Sequence, residues 1–311
     1  MTEKLQEGCT VQPQTKEELA QIIYETCQEK GWDCDLNFID TSKITDMSWL
    51  FSDDKDWGFG LSGFCGNISN WDTSNVTDMS GMFCDAQSFN QPLDNWDTSN
   101  VSSMYEMFCG AEKFNQPLNN WNVSNVTDMD GMFWGAEKFN QPLNNWNVSN
   151  VTDMYGMFYG AQSFNQQLNN WDVSNVTNMS FMFCDANSFN QPLDKWNVSH
   201  VTDMEGMFWG ARSFNQPLNN WDTSNVYSMS MMFYGAKKFN QPLNNWDLSG
   251  IRFFEYMLSG TKSFKSELPD FKNYRRSEEE LLEELGLPSD FKPEIKKNQE
   301  QEMAHKTAMC R

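Results

Sequence analysis

Apolar positions along most of this chain recur in one order: a Trp, a Val or Thr two residues on, then Val, Met, Met-Phe, Phe and Leu, with polar residues between them. Trp121-Asn-Val-Ser-Asn-Val-Thr-Asp-Met-Asp-Gly-Met-Phe-Trp-Gly-Ala-Glu-Lys-Phe-Asn-Gln-Pro-Leu-Asn-Asn145 is one copy. The order returns every 25 residues, marked by Trp71, Trp96, Trp121, Trp146, Trp171, Trp196, Trp221 and Trp246. A fixed period of this length is the mark of a repeat array. A unit so small cannot bury its own apolar face and must stack on its neighbours.

Inside a unit the pattern predicts two elements. Leu118, Trp121, Val123 and Val126 have the spacing of a leucine-rich-repeat strand. Trp121 and Val123 then face the core, and Asn120, Asn122 and Ser124 face away. Val126, Met129, Met132 and Phe133 fit a short helix, with Thr127 as N-cap, Asp128 at its positive end and Gly135 just past its C-terminus. Pro142, which lacks an N–H, belongs in the bend leading to the next strand. The expected fold class is therefore α/β: a leucine-rich-repeat-like solenoid with one short parallel strand and one short helix per coil, capped by helices at both ends.

The flanks supply those caps. Residues 1–14 read as a flexible leader, and residues 15–38 as an N-terminal cap. Thr15 and Glu18 form a capping box, and Leu19, Ile22, Ile23 and Cys27 line one stripe of a helix over 16–30. Residues 39–70 are a degenerate first repeat with seven extra residues near Ser52–Gly60, bringing in Asp53, Asp54, Asp56 and Trp57. Eight repeats fill 71–270. Ser277 and Glu280 open a second capping box in a C-terminal cap at 271–288, and 289–311 reads as a flexible tail.

Composition narrows the function. The formal net charge is -21, which repels phosphate backbones and argues against nucleic acid as a partner. No apolar run approaches the roughly 20 residues needed to span a bilayer, so membrane insertion is not expected. The N-terminus has no signal-peptide h-region and Cys9 no lipobox, which by itself reads as cytoplasmic. The two histidines are His200 and His305. No P-loop, HExxH, G-x-S-x-G or G-x-G-x-x-G occurs, so neither an enzyme, a cofactor nor a metal is expected. The methionine pairs read as core packing. If calcium binds anywhere, the Asp53–Asp56 insertion is its seat. Cys84 and Cys109 share a repeat position in adjacent units, within reach of a disulfide, but read more simply as small buried hydrophobes.

The repeated W-[ND]-[VT]-S-N-V-T-[DN]-M-x-x-M-F-x-G-A-x-x-F-N-Q-P-L-N-N, together with Asp40-Thr-Ser-Lys-Ile-Thr-Asp-Met47 behind a helix, resembles the 25-residue repeat of the BspA-like, mycoplasma-lipoprotein-type family, DUF285. The resemblance implies a leucine-rich-repeat relative, typically bacterial, often at the cell surface, with a role in adhesion or protein binding.

Two rows are candidate binding surfaces. The first, Asp72, Asp97, Asn122, Asn147, Asp172, Asn197, Asp222 and Asp247, would lie on an acidic concave strand face. The second, Trp134, Tyr159, Trp209 and Tyr234 with Cys84, Cys109 and Cys184, would be a binding stripe if exposed and inter-repeat packing if buried. The expected function is a non-enzymatic, monomeric protein-interaction or adhesion module for a protein or glycan ligand. A structural, self-associating role is the alternative, and ice or mineral binding by the Ser124 and Thr127 rows a third.

Overall fold

The computed structural model describes residues 10–53, 58–271 and 277–293. Among them are two α-helices, α1 (Lys16–Lys30) and α2 (Glu278–Leu285), and no strand longer than a single bridge. The expectation of one strand and one helix per coil is overturned: each unit is built from turns. The Asp54, Asp56 and Trp57 of the insertion lie outside the described residues, and the calcium expectation there with them, as do residues 1–9 of the leader and 294–311 of the tail.

The hydrogen bonds explain the correction. In the unit starting at Trp121, the N–H groups of Met129, Gly131, Phe133 and Gly135 donate to the carbonyls of Asp153, Tyr155, Met157 and Tyr159 in the next unit, at 3.2, 2.8, 2.9 and 2.7 Å. The alternate N–H groups of Met132, Trp134 and Ala136 close turns on Met129, Gly131 and Phe133, at 3.2, 2.9 and 3.1 Å. An α-helix needs every N–H to point back four residues. The left-handed φ of 59° at Gly131 and 68° at Gly135 also excludes a right-handed helix. The 3-3-1 apolar spacing thus reports successive turns. The strand expected at Leu118–Ser124 is missing too: each unit pairs with the next at one parallel bridge, seven residues after the Trp, as in Asp128↔Asp153 and Asp153↔Asn178.

Stacking buries what the pattern marked as apolar. Trp71 and Trp96 lie parallel at 6.5 Å, Phe83 and Phe108 at 5.4 Å, and Phe89 and Phe114 at 6.1 Å, and these columns continue through the array. The paired methionines fill the space beside them and are fully buried. The Trp column also carries a polar ladder: the indole N–H donates to the carbonyl of the residue three before the previous Trp, as Trp121 Nε1 does to Leu93 at 2.9 Å and Trp146 Nε1 to Leu118 at 2.9 Å. This bond explains why the marker residue is Trp rather than Phe.

The degenerate first unit keeps the same contacts. Asp46 bridges Asp78 across 32 residues, the excess over 25 being the insertion, and Phe51 stacks on Phe83 at 5.3 Å. Ahead of it the chain joins the array already at Val11, inside the segment expected as a flexible leader: Val11 bridges Ile39. Helix α1 buries Leu19, Ala20, Ile23 and Cys27 against that end. Thr15 caps it, accepting from Glu18 N, while the Glu18 carboxylate takes Gln14 N, not the Thr15 N–H that a capping box requires. At the other end α2 has a complete capping box on Ser277 and Glu280, and Gly286 closes it in the left-handed region. The Glu284 and Leu285 carbonyls accept from Tyr256 N and Leu258 N at 2.6 and 2.9 Å, replacing the next unit that the array no longer has.

Candidate functional site

The bridge positions, Asp46, Asp78, Ser103, Asp128, Asp153, Asn178, Asp203 and Ser228, form one row along the array. In most of them the side chain accepts the N–H two residues on: Asp128 Oδ1 from Asp130 at 3.0 Å, Asp153 Oδ1 from Tyr155 at 2.8 Å, Asp203 Oδ1 from Glu205 at 2.9 Å. One carboxylate oxygen is thus committed to the turn and the second can meet other donors. Lys16 of α1 uses it at the first rung, with Nζ 2.7 Å from Asp46 Oδ2 and hydrogen bonds to the Ser48 hydroxyl and carbonyl. Tyr227 uses it at another, donating its hydroxyl to Asp203 Oδ2 at 2.8 Å.

Beside this row lies a second, two residues further on: Ser80, Tyr105, Asp130, Tyr155, Ser180, Glu205, Ser230 and Glu255. Its members are half-buried or buried. Their charges feel one another. Burial, then Asp153, Asp128 and Glu106, push the Asp130 acid up to about 7. Burial followed by Asp153 raises Asp128, and burial followed by Asp203 and Glu255 raises Glu205. The Ser180 hydroxyl, 4% exposed, has no hydrogen-bond partner. At the C-terminal end the two rows open into a cavity of about 460 Å³ lined by Asp203, Glu205, Glu255, Tyr227, Phe253 and Tyr256 among others. Three of these, Tyr227, Phe253 and Tyr256, are among the few exposed large apolar side chains.

The rows named from sequence fall elsewhere. Asp72 through Asp247 are all exposed, and most serve the turn that follows: Asp72 Oδ1 accepts from Ser74 N and Oγ at 3.0 and 2.6 Å, and Asn122 Oδ1 from Ser124 N and Oγ at 3.2 and 2.7 Å. Hydrogen bonds from Ser99, Ser174 and Ser224 hold Asp97, Asp172 and Asp222 below the usual carboxylate range. The concavity argued for this row rested on a strand that is not there. In the second row, Trp134, Tyr159 and Trp209 are half-buried and Tyr234 is exposed. Trp134 and Tyr159 stack at 4.3 Å, so the row is in large part inter-unit packing. The described cysteines, Cys84 and Cys109 included, are free thiols. His200 takes the place of the Asn ladder: its Nδ1 lies 2.6 Å from the Ser174 carbonyl, where Asn175 and Asn225 place their amides on Ser149 and Ser199.

Sequence reasoning missed the bridge row, assigning Asp128 to a helix start. A signal was available in the two positions between the methionines, which change from unit to unit while their flanks stay fixed. Packing accounts for the second of them. There a large residue in one unit lies over a glycine in the next, Trp49 over Gly81 and Phe181 over Gly206, where an added Cβ would come within 2.2 and 2.5 Å of the ring. The first has no such account.

Stacked units, two caps and an in-register row of polar and acidic side chains define a repeat protein. The family described as "Mycoplasma protein of unknown function, DUF285" matches residues 21–128, 57–171, 113–216 and 191–280, and the chain belongs to that family. No curated protein matches the chain.

Proposed function

We propose that the chain is a non-enzymatic recognition array that binds a protein partner, in adhesion or complex formation, through the bridge row and the varied row beside it. The partner segment carries Lys or Arg side chains, which dock on the carboxylates in turn. The observation that carries this reading is Lys16, which binds the first rung through Asp46 and Ser48 and so serves as an internal template for the rungs that follow. Mutual repulsion among Asp128, Asp130 and Asp153 supports it, because an incoming cation relieves a strain already present. The aromatic side chains at the C-terminal cavity add faces on which a cation can rest.

A lysine-rich synthetic peptide, followed by calorimetry at low and high salt, tests this. The D128N/D130N/D153N/D203N variant should weaken binding at least about tenfold at low salt, where exposed charges act most strongly. The exposed row offers the contrast: D72N/D97N/D222N/D247N should change affinity less than about twofold, since those carboxylates are solvated and committed to local turns. Equal losses in the two variants would reduce the effect to net charge and overturn the assignment of the face.

A further inference from the structure

Two thiols and a carboxylate converge between the units that begin at Trp71 and Trp96. The sulfurs of Cys84 and Cys109 and a carboxylate oxygen of Glu106 all lie within 4.8 Å of one another. The repeat explains the convergence. Cys84 and Cys109 hold the same position in successive units, locked together by Asp85 N donating to the Cys109 carbonyl at 2.7 Å. Glu106 stands three residues before Cys109, whose N–H closes a turn on the Glu106 carbonyl at 3.0 Å. Cys84 is 8% exposed and Cys109 half-buried.

Two features separate this cluster from ordinary packing. Elsewhere the thiol row is mostly aromatic and builds a ring stack, Trp134 on Tyr159, which two small thiols cannot replace. The left-handed φ of 50° at Glu106 is shared by its repeat position, 58° at Trp49 and 57° at Phe181, so what sets Glu106 apart is its carboxylate. The other side chains at its position are Trp49, Phe181, Met231 and Tyr256, the rest being glycine, so Glu106 is the charged one among them.

We propose that Cys84, Cys109 and Glu106 form a binding site for a thiophilic divalent cation, zinc above all. Sulfur donors select zinc over calcium and magnesium, which prefer all-oxygen sets. Bonds of about 2.3 Å to sulfur and about 2.0–2.2 Å to oxygen, in a tetrahedron, place the donors roughly 3.5–3.8 Å apart. The three side chains therefore need to close by at most about 1.3 Å from the 4.8 Å limit, leaving the fourth position to water. Binding releases the two thiol protons to solvent and forms two zinc–thiolate bonds, with no change of oxidation state. The bound ion ties one unit to the next. The site does not rest on the proposed recognition face, although Glu106 is also one of the charges beside Asp130.

The full chain, reduced and stripped of metal, is titrated with zinc against a chromophoric chelator. The expected result is a site that C84S and C109S each weaken at least about 100-fold and E106Q about tenfold. C184S, in the same row without a partner thiol, and C34S, in the separate Cys27–Cys34 pair at 3.9 Å, should leave it unchanged. Cobalt in place of zinc should give a thiolate charge-transfer band that C109S abolishes. Should buried Cys84 not tolerate serine, judged by melting, half-buried Cys109 and Glu106 decide the matter. Absence of micromolar zinc binding, or wild-type affinity in C109S, overturns the site; wild-type affinity in E106Q removes the carboxylate from it.

Discussion

At Asp130, burial and three neighbouring carboxylates make the charged form costly, and the acid titrates at about 7. An unfolded chain would lose that proton in the ordinary carboxylate range. The folded state thus holds the extra proton between that range and about pH 7, and stability falls as pH rises through this window. D130N, which removes the charge with little change in shape, should raise the melting temperature at pH 8 and much less at pH 4. An equal shift at both pH values would mean that the charge is not the cause. Gly206 makes a steric case. A methyl group there meets the Phe181 ring at 2.5 Å, and its φ is 56°. G206A should cost roughly 1–3 kcal/mol in denaturant titration, and adding F181A should recover part of that loss. A full loss in the double variant would leave backbone strain alone as the cause. Such pairings are readable from sequence only by comparing adjacent units, since neither residue is unusual by itself.

At the scale of one unit, the period and the inward residues were legible and the secondary structure was not. Trp121, Val123, Met129, Met132, Phe133 and Phe139 are all buried, as their spacing required. The same spacing suits a helix and a run of three-residue turns, and glycines at Gly131 and Gly135 decide for turns by taking positive φ. Gly135 alone fits a helix C-cap; together with Gly131, four residues earlier, it marks a pair of turns. The indole ladder was equally hidden, because hydrophobicity alone cannot tell a Trp that packs from a Trp that also donates. Trp146→Phe keeps a ring in the column but removes the indole donor from the Leu118 carbonyl, which still accepts from Trp121 N, and should cost about 0.5–1.5 kcal/mol. Trp146→Ala should cost about 3–5 kcal/mol and open the array near its middle. Chemical denaturation of the two variants checks the order. If Phe costs as little as a surface change, the ladder is incidental.

For the molecule as a whole, the two ends present different problems, each visible in the sequence as a capping signal. Helix α1 covers apolar side chains, whereas α2 also supplies carbonyls to Tyr256 and Leu258. Deleting the chain after Phe271 should leave those donors unpaired and uncover the last layer. The truncated protein should then associate more than the full chain does, as light scattering over a concentration series would record. Equal masses would mean that α2 adds nothing to closure. The acidic face was the part of the molecule least legible from sequence. Asp128 has the residue type of a helix cap, and only the register between units shows that it stands in line with Asp153 and Asp203.

That register has a consequence of a different kind. The columns and backbone bonds joining neighbours are nearly the same at every junction, so one unit can stand beside almost any other. What a unit contributes to the face is its bridge residue and one letter two places on, and the array spells the latter out as Ser, Tyr, Asp, Tyr, Ser, Glu, Ser, Glu. The adjoining position imposes a grammar: a bulky letter is followed by glycine, as after Trp49, Glu106 and Phe181, with Met231 before Tyr256 the exception at the closing end. Within that grammar whole units can be transposed, duplicated or dropped by recombination, rewriting the displayed word while leaving the fold untouched. A lineage of such chains would vary its partners by editing order rather than by mutating residues.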